Sequence, residues 1–190
     1  MKSLEIIGFK RANLGKKDAV ANRLEGNIPC VVYGKGEQVH FYAPAIQFRP
    51  LLYSPNVYMV ELNIEGQIIK AIIQDSQYHP VSDALLHADF LAVDDTKPVK
   101  MEIPVEITGS SIGIQKGGKL SLKLRTLKIK AFPKDMPDSI PVDISSLDLG
   151  KSVKVGEVQL GEGLEVLNSP NVSIASIEIP RALRGKQAAE

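Results

Sequence analysis

A chain of 190 residues that is 44% hydrophobic and 24% charged has ordinary globular proportions, which exclude wholesale disorder and fit one or two domains with their own cores. A net charge of +1 argues against a uniformly basic polyanion binder, and no run approaches the roughly 20 apolar residues of a membrane-spanning helix. A single cysteine excludes an internal disulfide and points to a reducing compartment, with Cys30 read as a buried, inert thiol.

The chain opens with Ile6-Ile7, an apolar pair too short for a signal peptide, so a cytosolic protein is expected. Residues 4–9, 29–33, 57–64 and 67–73 are β-branched runs bounded by Gly, Pro or Asn, and each predicts a strand. Glu65-Gly66 between the last two predicts a tight hairpin turn. Short helices are predicted over residues 18–24 and 45–52, the second starting after Pro44 and stopping before Ser54-Pro55-Asn56. Several short strands with few helices predict a small, nearly closed barrel.

Charge is unevenly placed along this first half. Residues 1–35 carry seven basic side chains against three acidic ones, concentrated around Lys10, Arg11, Lys16 and Lys17 and running into the strand that ends at Tyr33-Gly34. Cations on a turn beside a rigid strand suit a phosphate backbone, because polyanion affinity comes largely from counterions released as Lys and Arg approach phosphates. A solvated surface loop is the alternative. Further on, Gln74-Asp75-Ser76-Gln77-Tyr78-His79-Pro80 and His87-Ala88-Asp89-Phe90 supply groups that hydrogen-bond to base edges or 2′-hydroxyls.

Arg11, Gly15-Lys16, Arg23, Gly26-x-Ile28-Pro29-x-Val31-x-Tyr33-Gly34, Gln74-Asp75, Gln77, His79-Pro80 and His87-x-Asp89-Phe90 follow one another in a specific order and spacing. In this series the chain resembles the bacterial large-subunit ribosomal protein that binds 5S ribosomal RNA, in the long two-domain form related to the general stress protein Ctc. The resemblance covers residues 1 to about 92 strongly and the second half chiefly by strand layout. It implies a non-catalytic, cytoplasmic component of the large ribosomal subunit, monomeric off the ribosome and without a cofactor. It also implies a barrel that docks on a non-standard helical loop of 5S RNA. Arg11, Lys16 and Arg23 would lie on phosphates, with Tyr33, Gln77, His79, His87 and Asp89 reading the groove and Gly15 also among the RNA-binding residues. One departure stands out: the family carries more arginines between Gly15 and Pro29, where this chain has Val20, Ala21 and Asn22, and fewer phosphate contacts mean a shallower salt dependence.

A domain boundary is expected in the polar stretch 93–98, giving an RNA-binding domain over 1–92, a second β-rich domain over 97–180 and a frayed tail over 181–190. Residues 1–95 hold nine basic and eleven acidic groups, so distribution rather than net charge marks the RNA domain. Residues 99–107, 120–125 and 127–132 alternate apolar and polar, predicting half-exposed strands with Lys123, Arg125, Lys128 and Lys130 as a basic stripe on one sheet. Such a stripe either guards strand edges or touches RNA. Residues 112–119 read as a flexible glycine-rich loop that lacks the phosphate-loop pattern, and residues 137–150 as an extended, proline-held stretch. Val153, Val155, Val158 and Leu160 continue the strand theme.

Two other functions stay open on the residues alone. The second domain would serve a stress-linked protein-interaction module, and His79, His87 and Asp89 would serve a small metal-dependent enzyme. No carboxylate-rich segment completes a hydrolytic set, and Cys30 has no evident base partner. Tyr33 either caps the core or turns its hydroxyl to a ribose.

Overall fold

The computed structural model describes residues 2–34, 36–161 and 163–180, so the tail expected at 181–190 lies outside it. The chain forms two compact units: Met1–Val99 with Phe132–Lys134, and the residues from Lys100 on apart from those three.

The first unit is a closed barrel of six strands: β1 (Lys2–Lys10), β2 (Asn27–Tyr33), β3 (Val39–Pro44), β4 (Tyr58–Ile64), β5 (Gln67–Tyr78) and β6 (Leu85–Ala92). Their order is β1-β3-β2-β6-β5-β4, and parallel pairing of β1 with β4 closes the ring and leaves no free edge. Alternation along each strand puts Ile6, Cys30, Phe41, Leu62, Ala71 and Phe90 inside. Burial pushes the Cys30 thiol far up its titration scale, which leaves it unreactive.

Local rules set the turns. Glu65 and Gly66 both take positive φ, 50° and 90°, the geometry of a type I′ hairpin, while the Gly66 N–H donates to Asn63 Oδ1. Gly8 is required by close approach, since a Cβ there would stand 2.6 Å from the Phe41 ring. Between β3 and β4 a 3-10 turn (Ala45–Phe48) leads into α2 (Arg49–Leu52), and the pair buries Phe48 and Leu51 in the barrel core. Pro50 sits where a helix's first N–H groups are unpaired anyway. Helix α1 (Lys16–Leu24) has no fully buried residue and packs on β2 through half-buried Asp18, Ala19, Asn22 and Arg23.

The second unit contains two sheets. One has the order β10-β7-β9-β12, built from β7 (Val99–Thr108), β9 (Thr126–Ala131), β10 (Ile140–Asp143) and β12 (Glu165–Val166). The other has the order β11-β13-β8, built from β8 (Lys119–Leu122), β11 (Ser152–Lys154) and β13 (Ser173–Glu178). Val155 leads a 3-10 turn, not the strand continuation expected there.

Two expectations about this unit are overturned. Residues 112–119 do not form a flexible loop: α3 (Ile112–Gln115) is capped by the buried Ser111 hydroxyl, which accepts the Gly113 N–H and donates to the Leu147 carbonyl at 2.6 Å. Its glycines answer to packing, for a Cβ on Gly118 would stand 2.5 Å from Ile177. Nor is there a basic stripe on one sheet. Lys123 and Arg125 lie in the bend between β8 and β9, which belong to different sheets. Lys128 and Lys130 pair with Glu102 and Glu165, at 3.6 and 2.9 Å.

Lys116 Nζ donates to both carboxylate oxygens of Asp148, at 2.9 and 2.8 Å. That bond, then the Leu149 N–H, holds the Asp148 carboxyl below its ordinary range. A depressed carboxyl stabilises the fold above its unfolded value, and this contribution disappears as pH falls through the folded one. Melting of wild type and Asp148→Asn across acidic pH is therefore expected to converge below about pH 4, the wild type being the more stable above it. A constant gap at all pH values would show that the carboxylate charge does not matter.

Candidate nucleic-acid interface

Register places the polar residues predicted from sequence on one wall of the barrel. Strands β2, β6 and β5 are neighbours, with Val31 opposite Asp89, Tyr33 opposite Leu91, Gln77 opposite His87 and Asp75 opposite Asp89. Paired residues on adjacent strands point to the same side. Since Cys30, Val32, Ala88 and Phe90 face inward, Tyr33, His87, Asp89, Asp75 and Gln77 share the outer face. The register shifts between Ile73 and Asp75, and β5 runs on through Tyr78, well past the predicted strand end.

His87 and Asp89 act as a unit. His87 Nδ1 lies 2.7 Å from Asp89 Oδ1, with both side chains partly exposed. A carboxylate only accepts, so the shared proton is on Nδ1, which leaves the ring's Nε2 to meet a ligand. The face therefore offers the second ring nitrogen of His87 and the second Asp89 oxygen, groups that hydrogen-bond to 2′-hydroxyls and base edges.

His79 lies beyond the end of β5 and has a different task. Its Nδ1 accepts the N–H groups of Val81 and Ser82 at 3.3 and 3.2 Å, and its backbone N–H donates to Ala84 O, closing the turn into β6. The metal-dependent reading thereby loses its geometry. Among the described residues no three His, Cys, Asp or Glu side chains gather where they would hold an ion.

The cations divide into free and committed groups. Arg11, expected on phosphate, donates through Nε and Nη2 to Asp18 Oδ2, at 3.0 and 2.7 Å, and its side chain is 9% exposed. Asn22 Nδ2 donates to the same oxygen at 3.2 Å. This three-residue clamp ties the end of β1 to α1. Arg23 donates through Nε to the Leu86 carbonyl at 3.0 Å, one residue before His87, and thereby joins α1 to β6. Lys16 and Lys17 are exposed at the start of α1, and among the described residues neither has an ion-pair partner. Gly15 is the N-cap with no side-chain cap, and a Cβ there would meet nothing within 4 Å. No side chain caps the first N–H groups of α1, and its first turn carries two exposed ammonium groups.

Sequence reasoning missed Asp18 and Asn22, which carry the clamp. An aspartate in the first turn of a helix reads as a favourable dipole contact. No local spacing rule joins it to an arginine seven residues upstream across a turn.

Comparison with known proteins assigns both halves to ribosomal domains. The Ribosomal L25p family matches residues 6–90, and the family Ribosomal protein TL5, C-terminal domain, matches residues 98–181. A Cytophaga hutchinsonii protein named large ribosomal subunit protein bL25 is 49% identical over 189 residues, covering 100% of this chain and 98% of the relative. Proteins of the same name from Phocaeicola vulgatus and Porphyromonas gingivalis are 45% and 46% identical, covering 99% and 97% of this chain and 98% and 97% of their own lengths. The chain belongs to the bL25 family of large ribosomal subunit proteins. It is a structural component of the bacterial cytoplasmic ribosome and not an enzyme.

Proposed function

We propose that the barrel binds 5S ribosomal RNA through the outer wall of β2, β6 and β5. The observation that carries this reading is the register of β5 on β6, which sets Gln77 beside His87 and next to Asp89 on one rigid face, with the uncapped start of α1 presenting free lysines. A helical RNA exposes a shallow minor groove lined with 2′-hydroxyls, and a barrel wall fits that groove without entering it. Lys16 and the first turn of α1 contact phosphates. Arg23 braces α1 against β6 and turns its remaining guanidinium nitrogens to the backbone. Arg11 acts one step back, holding the loop that carries Gly15 in place. His79 fixes the turn that sets the β5 and β6 ends, and Tyr33 extends the face on β2. Residues 97–180 form a separate domain that this contact does not require.

Gel-shift titration of 5S RNA with the full chain and with fragment 1–92, which contains all six barrel strands, tests the assignment. Equal affinities are expected. Lys16→Ala is expected to flatten the dependence of log affinity on log salt by about one unit. Binding that requires residues beyond 96, or an unchanged slope, would place the site elsewhere.

A further inference from the structure

A second surface lies where the segment between β3 and β4 caps the barrel. A groove of about 470 Å³ is lined by Ile46, Arg49 and Tyr53 of that segment, by Leu85 and Leu86 of β6 and by Arg23 of α1. Ile46 is 69% exposed and Tyr53 73%, on a segment that buries Phe48 and Leu51 in the barrel core. Two large apolar side chains left in water on an ordered cap are poor surface design unless something covers them.

The charge around the groove says what that something is. Its lining contains two guanidinium groups and no carboxylate. Among the described residues Arg49 has no ion-pair partner, and Arg23 uses only Nε, on a backbone carbonyl. Tyrosine and arginine around an aliphatic floor are the residues that dominate protein interfaces. An RNA strand would engage only Tyr53 and the arginines and leave the aliphatic floor of Ile46, Leu85 and Leu86 uncovered, whereas a protein segment covers both. The chain's own residues 181–190 carry three cations and one glutamate, the same sign as the groove.

We propose that this groove docks a protein segment in which a carboxylate lies beside a large apolar side chain, supplied by another protein of the large subunit. The apolar side chain packs between Ile46, Tyr53 and Leu85 while the carboxylate meets Arg49. The inference rests on membership of the ribosomal family and stands whether or not the barrel wall binds 5S RNA.

The test is photocrosslinking from full-length protein with benzoylphenylalanine in place of Tyr53, assembled into purified large subunits. A crosslink to a ribosomal-protein peptide containing Asp or Glu next to an apolar residue is expected. Arg49→Glu should lower its yield about tenfold, with retention on the subunit read separately by immunoblot. The mapped peptide, synthesised, should bind the isolated chain, about tenfold more weakly to Arg49→Glu and equally to the control Lys70→Glu. A crosslink to RNA, to a second copy of this chain or to nothing, or one indifferent to Arg49→Glu, overturns the proposal.

Discussion

Phe90→Ala is expected to cost the barrel about 3–5 kcal/mol, the range for removing a fully buried phenylalanine. Phe90 is 0% exposed, and its ring meets those of Phe41 and Phe48 with centroids 5.9 and 6.3 Å apart. These two contacts join the strand that carries His87 and Asp89 to β3 and to the cap. A domain is stable by roughly 5–15 kcal/mol, so the variant sits near the edge of folding. Because the chain holds two units, urea unfolding should be followed through barrel residues alone rather than as one transition. Ile68→Ala is the control: Ile68 is 68% exposed on β5, and its loss should stay within about 0.5 kcal/mol. A Phe90→Ala cost near that of the control would mean that the core closes over the gap.

The strands readable from sequence were those with a dense β-branched run. β1, β4 and the first part of β5 each stack such residues between Gly, Pro or Asn, and the Glu65-Gly66 hairpin follows from backbone chemistry alone. β3 and β6 escaped because their inward sets, Phe41 with Ala43 and Ala88 with Phe90, combine one ring with one small residue. They become strands because flanking strands pair with both sides of them. In the second unit β13 alternates serine with small and branched residues and was not predicted, yet it is the central strand of its sheet, with Ile174 and Ala175 fully buried.

At the candidate site, the identity of the polar groups was legible and their partners were not. Whether Arg11 reaches phosphate depends on Asp18, and whether Lys128 and Lys130 form a free stripe depends on Glu102 and Glu165, 26 and 35 positions away in the chain. Composition shows the charges, and only the fold shows which of them are already neutralised. The sparse arginines of α1 fit the same account. With Val20 and Leu24 exposed and Asp18 engaged, the helix presents Lys16 and Lys17 at its start and little charge beyond.

His87→Ala and Asp89→Ala should each weaken 5S RNA binding by about 1–3 kcal/mol, the scale of a groove-reading contact, with the salt slope unchanged. Because Nδ1 of one lies 2.7 Å from Oδ1 of the other, the double variant should lose little more than the worse single one. Removing Asp89 frees the imidazole to turn and change its tautomer, so either change destroys the same recognition element. Asp75 provides the contrast. It lies directly across from Asp89, and its Oδ1 accepts the Ser76 N–H. Like charges in that position oppose each other and any nearby phosphate, so Asp75→Ala should leave affinity unchanged or raise it. Titrations of wild type and the four variants over a salt series decide the matter, with matched melting curves to show that each is folded. Additive losses for His87 and Asp89 would mean that they contact the RNA independently, and a change of about one unit in slope would return them to the phosphate backbone.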